Sequence, residues 1–342
     1  MEVKLNYKNT LTFLIGFAFF YLGYLLWRVE DPFPEIDVQL RDIISYAVLA
    51  VEMGGHAVAI VHNDSQNSLN IHKKGETDEG KAELLTQADL ISNHLILDIL
   101  QRFPAIRVIS EEKSGQISEA EAERYRTDRY SLWSSVREVL DKMPSKRMPL
   151  SRLAFWVDPL DATQEYTEGL LEYVTVMTCV TFDGKPIFGA IYRPFQNETV
   201  FGLVGWGAMK ADGKSIKYDT SPANKRIVVS RSHAGKVEEL AKIAFPGEYT
   251  VEPAGGSGYK SLRLANHSAE LYMHTTKIKK WDTCAGDAII RSLGGSMLDL
   301  DGRPIDYSPD LDVVNKRGLI AAISSPYSYY VKVKDHLKSI GL

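Results

Sequence analysis

Apolar residues recur at helical spacing through Val38, Ile43, Ile44, Ala47, Val48 and Val51, and again through Leu84, Leu85, Ala88, Ile91, Leu95, Ile96, Ile99 and Leu100. That spacing predicts helices over 37–61 and 82–102. Short apolar runs at 107–110 and 155–157 read as strands, and 173–192 alternates around Asp183-Gly184 as a hairpin would. Further strands are expected over 200–204, 207–210, 227–229, 271–274 and 319–323, with helices over 235–244, 260–265, 284–293 and 327–340. Residues 114–150 are polar and irregular, which predicts a long surface excursion with a helix near 133–140. No internal repeat is visible. Strands and helices interleaved in this way predict a layered α/β domain.

The N-terminus departs from that pattern. Residues 10–27 carry no charge and are apolar all round, close to the minimum of about 17–25 residues that spans a bilayer. Tyr21, Tyr24 and Trp27 gather toward one end as an interfacial belt. The bulky Leu26-Trp27-Arg28 stretch offers no small-residue cleavage site. Lys4 and Lys8 precede the run, while Arg28 is followed by Glu30, Asp31 and Glu35. This bias predicts a type II protein: a cytoplasmic tail (1–9), a signal anchor (10–27), an extended stalk through Pro32 and Pro34 (28–36) and a luminal domain (37–342). Sequons at Asn63, Asn197 and Asn266 fit a luminal glycoprotein. Only Cys179 and Cys284 are present, so there is no disulfide framework and no zinc-ligand spacing, and a single bridge stays open. A formal net charge of −4 over 342 residues gives no nucleic-acid surface. Such a chain would need bound metal to attract a polyanion.

Candidate chemistry concentrates at Asp158-Pro159-Leu160-Asp161-Ala162-Thr163, where a buried strand is expected to end in a turn forced by Pro159. Two carboxylates facing one point suit Mg2+, and the amides opening the next helix suit an anion. Two other segments add carboxylates: Glu111-Glu112 directly after the 107–110 strand, and Asp282 near the start of the helix containing Cys284. Taken singly, these are equally a capped turn, a solvated charge and an ordinary helix cap.

Taken in order, the Glu-Glu pair, Asp-Pro-Leu-Asp-Ala-Thr and Trp-Asp-Thr-Cys-Ala-Gly resemble the lithium-sensitive, magnesium-dependent phosphomonoesterases of the inositol monophosphatase superfamily. The segments 226–233, 253–260 and 278–286 are similar to the Golgi branch acting on adenosine 3′,5′-bisphosphate (PAP). The resemblance covers about residues 37–335. It implies an α-β-α-β-α sandwich whose metal-binding and substrate-binding halves cover about 37–195 and 196–342. It further implies two or three Mg2+ ions held by Glu111, Asp158, the Leu160 carbonyl, Asp161 and Asp282. Thr163 would be catalytic with Asp89 as its partner, and Ser230, His233, Gly256 and Lys260 would hold the nucleotide and its 5′-phosphate. Many members have glycine where this chain has Ala162, which still leaves the backbone N–H in place. The implied activity is release of the 3′-phosphate of PAP in the Golgi lumen, with membrane attachment through the anchor, no nucleic-acid partner and room for a homodimer. An inositol phosphate phosphatase and an inactive luminal binding protein are the alternatives.

Overall fold

The computed structural model describes residues 7–28, 35–64, 70–76, 82–103, 105–217, 225–232 and 235–341. They fall into two units, one up to Asp37 and one from Val38 onward. The first contains α1 (Tyr7–Arg28), somewhat longer than the expected 10–27. Its apolar stretch, Thr10–Leu25, exposes Phe13, Phe17 and Phe20. Among the described residues, only α2 (Leu40–Asp64) has the length and composition of a membrane span. It is 78% buried, however, and so is a core helix of the second unit.

Two sheets organise the second unit. The first runs in the order β7-β6-β5-β4-β3-β2-β1, formed by Arg107–Ser110 (β1), Leu153–Asp161 (β2), Thr175–Phe182 (β3), Lys185–Arg193 (β4), Glu198–Leu203 (β5), Gly207–Lys210 (β6) and Ser215–Ile216 (β7). Only β1 and β2 pair in parallel. The second sheet consists of Arg226–Ser230 (β8), Thr250–Ala254 (β9), Leu271–His274 (β10), Ser296–Leu298 (β11) and Leu319–Ala322 (β12), ordered β9-β8-β10-β12-β11. Strands β9, β8 and β10 are parallel, so Ala254, Ser230 and His274 end along one edge. Carboxyl ends of parallel strands are where α/β sheets bind ligands.

Alternation of side chains assigns the layers. Phe155 and Val157 pack with α2 and α3 (Gln87–Leu100), while Trp156 between them packs with α8 (Lys280–Ser292) on the opposite face. Val228 and Tyr272 complete that central layer together with α7 (Ser257–Ala265). Ile227, Val229, Leu271 and Met273 face the outer helices α6 (Val237–Ala244) and α9 (Pro326–Leu337). The result is the expected α-β-α-β-α sandwich. Strands β5–β7 finish the first sheet, so the sheets divide the chain after Ile216 rather than near residue 195.

Several elements differ from expectation. Ala82–Leu85 is a strand paired with His72–Glu76, and α3 begins only after Thr86. Leu84 and Leu85 continue the helical spacing by coincidence. Asp89 sets the boundary, because its carboxylate accepts the Thr86 N–H in a capping box. The 114–150 segment is not only a surface excursion. It holds α4 (Arg129–Leu140) and buries Ala122, Val136, Leu140, Met143 and Met148 in the α2 core. The 260–265 helix already starts at Ser257, and the 284–293 helix at Lys280.

Cys179 of β3 and Cys284 of α8 form a buried disulfide, Cα atoms 5.7 Å apart, which fixes the Asp282-bearing helix to the first sheet. It closes a loop of 105 residues. Removing such a bridge costs on the order of 2–5 kcal/mol. A Cys179→Ala/Cys284→Ala variant should therefore melt well below wild type, and reductant should lower the wild-type Tm toward it. Identical melting curves with and without reductant would show that the bridge does not hold the fold.

Candidate active site

The Asp158–Asp161 segment does not turn at Pro159. Strand β2 continues to Asp161, and its ladder with β3 advances from Asp158↔Met177 to Asp161↔Thr175. Three residues on one strand thus match two on the other, a one-residue β-bulge. In a regular strand, residues three apart face opposite sides. The bulge returns Asp158 and Asp161 to the same side, and Pro159, which has no N–H to contribute, sits within it. The chain turns at Ala162, whose φ of 71° is left-handed, and α5 (Thr163–Thr167) follows. A side chain there costs about 1–2 kcal/mol.

Carboxylate oxygens of Glu111, Asp158 and Asp282 lie within 4.8 Å of one another. Glu111 is placed by its own N–H, which donates to Val157 across the parallel β1–β2 pair. Asp158 Oδ1 accepts the Leu160 N–H at 3.1 Å, and Asp282, in the first turn of α8, accepts the Lys279 N–H at 3.2 Å. Burial, then repulsion within the cluster, pushes the Asp158 and Asp282 carboxyls well above the usual carboxylate range. Burial also raises Glu111, against the pull of Lys74. Hard oxygen donors brought together at this cost fit a divalent cation such as Mg2+.

Asp161 lies beside this trio rather than in it. Its Oδ1 accepts from Ser257 N at 3.1 Å, and its Oδ2 from Gly258 N at 2.8 Å and Thr175 Oγ1 at 2.9 Å. Thr163 Oγ1 stands 3.2 Å from Asp89 Oδ1 and 3.1 Å from the Leu160 carbonyl, so the expected Asp89–Thr163 contact is present. Asp89 is 1% exposed and its Oδ2 accepts from both Thr86 N and Thr86 Oγ1. Burial pushes its carboxyl up to about 7.

A cavity of about 490 Å³ is lined by Glu111, Asp161 and Thr163 together with Ser230, Gly256 and Lys260. His233 lies outside the described residues. Gly256 has a φ of 61°, and a Cβ there would stand 2.7 Å from the Tyr173 carbonyl. Lys260 lies within the first turns of α7 and is 3% exposed. Its Nζ donates to the carbonyls of Ala254 (3.3 Å) and Gly256 (2.5 Å), and burial lowers it to about 8.

Sequence reasoning missed Lys74. From the His72–Glu76 strand, its Nζ reaches Glu111 at 2.6 Å and also pairs with Glu112. Burial opposes its charge, but the two glutamates hold it protonated. Sequence gave no sign of this, since residues 62–81 carry no strong period. Glu165 was missed too: it is 2% exposed, lines the cavity and is held by Arg231 Nη1 at 3.2 Å.

The inositol monophosphatase family model matches residues 42–334. The chain is 40% identical over 322 residues to a Danio rerio protein named inositol monophosphatase 3, covering 91% of this chain and 89% of that one. It is 37% identical over 311 residues to the Homo sapiens Golgi-resident adenosine 3′,5′-bisphosphate 3′-phosphatase, covering 89% and 83% respectively. Among solved structures, a Thermotoga maritima IMPase superposes with a TM-score of 0.64 at 16% identity, covering 88% of this chain and all (100%) of that one. CysQ from Bacteroides thetaiotaomicron gives a TM-score of 0.61 at 21% identity, covering 82% and 96%.

The buried acids predict a pH dependence. Asp158 and Asp282 have folded pKa values above their unfolded ones near about 3.9, so between the two the folded state binds more protons. Metal-free protein should therefore lose thermal stability as pH rises above about 4, and Mg2+ should flatten that slope. Asp158→Asn should raise the metal-free Tm while removing the stabilisation by Mg2+. A metal-free Tm that rises with pH across this range would remove the buried-charge account.

Proposed function

This chain belongs to the inositol monophosphatase family, and on that premise we propose that it hydrolyses the 3′-phosphate of PAP to AMP and phosphate in the Golgi lumen. The observation that carries the chemistry is the convergence of Glu111, Asp158 and Asp282 beside the Asp89–Thr163 pair. The substrate reading draws on the 37%-identical relatives named for PAP and on Ser230, Gly256 and Lys260 lining one cavity. In it, Glu111, Asp158, the Leu160 carbonyl, Asp161 and Asp282 hold two or three Mg2+ ions. Bound there, the metal supplies positive charge for the phosphoryl oxygens and lowers the pKa of water.

The chain's own groups do the rest. Asp89, itself fixed by Thr86, takes the Thr163 proton and leaves the hydroxyl oxygen to accept from the attacking water. Water adds to phosphorus and gives up a proton toward the Thr163–Asp89 pair, the bond to O3′ breaks, and O3′ takes a proton from solvent water as AMP leaves. Ser230, Gly256 and Lys260, with His233, orient the nucleotide, and the Lys260 ammonium answers its 5′-phosphate. Clearing PAP would relieve sulfotransferases, which release it from the sulfate donor PAPS.

Placement in the lumen rests on three features: the apolar α1, the three sequons and the Cys179–Cys284 bridge, of a kind that persists in oxidising compartments. Inositol phosphates are the second reading, favoured by the name of the 40%-identical Danio rerio relative.

Phosphate release from PAP and from inositol phosphates, each with and without Mg2+, tests the assignment. PAP should be turned over faster, and only with metal. Preference for inositol phosphates would move the chain to the second reading, and inactivity on both would leave a binding protein. Asp161→Asn should nearly abolish turnover with the fold intact, and Thr163→Ala should lower kcat by about 10²–10⁴-fold. Lys260→Ala should raise KM for PAP more than for a substrate without the 5′-phosphate; equal losses would count against nucleotide recognition. Protease added to sealed Golgi vesicles should spare the domain after α1, and its digestion would place it in the cytosol.

A further inference from the structure

Asp161 is held by three donors, and they come from two different elements. Thr175 opens β3 directly opposite Asp161 in the ladder, a position created by the bulge. It is completely buried, and its hydroxyl donates to Asp161 Oδ2 at 2.9 Å. The same oxygen accepts the Gly258 N–H at 2.8 Å, and Oδ1 accepts the Ser257 N–H at 3.1 Å. A Cβ on residue 258 would lie 2.3 Å from Thr175 Oγ1, so α7 packs against the hydroxyl at a distance only glycine allows.

A carboxylate oxygen has about two acceptor sites. Two donors fill those of Oδ2, while Oδ1, with one donor, keeps a site. We infer that Thr175 is a positioning residue for the metal centre: by saturating Oδ2 it fixes the carboxylate plane and leaves Oδ1 as the single oxygen Asp161 offers a divalent cation. This rests on Asp161 being a metal ligand, as proposed above. Groups that orient a metal ligand without touching the metal typically change affinity by about 10–100-fold when lost.

The test uses the full-length chain in detergent, with Mn2+ as the probe and free ion measured by electron paramagnetic resonance. Thr175→Val keeps the shape and removes the donor. It should weaken Mn2+ binding by about 10–100-fold, and Thr175→Ser, which keeps the hydroxyl, should restore it. Metal-free melting should be close to wild type in both. If the valine variant does not fold, Thr175→Ala carries the same expectation. Wild-type affinity in Thr175→Val alongside weakened binding in Asp161→Asn would overturn the positioning role. Equal weakening in the serine and valine variants would also overturn it, leaving a packing role only. Unchanged affinity in Asp161→Asn would instead remove the ligand reading on which the inference depends.

Discussion

Everything in the second unit answers to one electrostatic constraint. Three acidic side chains, Glu111, Asp158 and Asp282, converge on one small region, and a fourth, Asp161, lies close enough to add to the repulsion. Left alone, such a cluster pushes its own scaffold apart. The chain meets this with fixed donors: Lys74 against Glu111, the Leu160 amide on Asp158, the Lys279 amide on Asp282, and two amides with a hydroxyl on Asp161. These donors hold the acids in place, and a bound cation would relieve the repulsion that remains.

The layered α/β organisation was legible in the sequence because its elements follow short-range rules, whereas the acidic set as a whole was implied only by the family resemblance. Period 3.6 marked α2, and period 2 marked the β3–β4 hairpin. The contiguous Asp-Pro-Leu-Asp motif pointed to a metal by its composition. What stayed hidden depends on register or on distant partners. The bulge between Asp158 and Asp161 is set by pairing with β3, and a proline between aspartates is as consistent with a turn. Lys74 lies 37 residues from Glu111, in a stretch of mixed charge with no period. Leu84 and Leu85 mislead because two leucines suit a strand or a helix, and only the Thr86–Asp89 capping box decides. Lys260 was expected to offer its charge to a phosphate; the sequence did not show that its Nζ also donates to two carbonyls.

Asp161 also explains why neither half of the sandwich makes a site by itself. It belongs to the first sheet, yet two of its three donors come from the start of α7, beside the glycine turn lining the cavity. The left-handed Ala162 next to it adds local strain at the same junction, a common feature of backbone that must place a reacting group. The two halves of the sandwich therefore meet on one carboxylate.

The Cys179–Cys284 bridge has a consequence in time. A chain made from its N-terminus presents Glu111, Asp158 and Asp161 long before Asp282, and residue 284 emerges later still. The first sheet can form while the acidic pocket lacks a wall. Only when α8 arrives can the sulfurs meet, and the same docking delivers Asp282. Oxidation therefore acts as a latch on the docking of α8, and a nascent chain cannot bring the three clustered carboxylates together before residue 282 has been made.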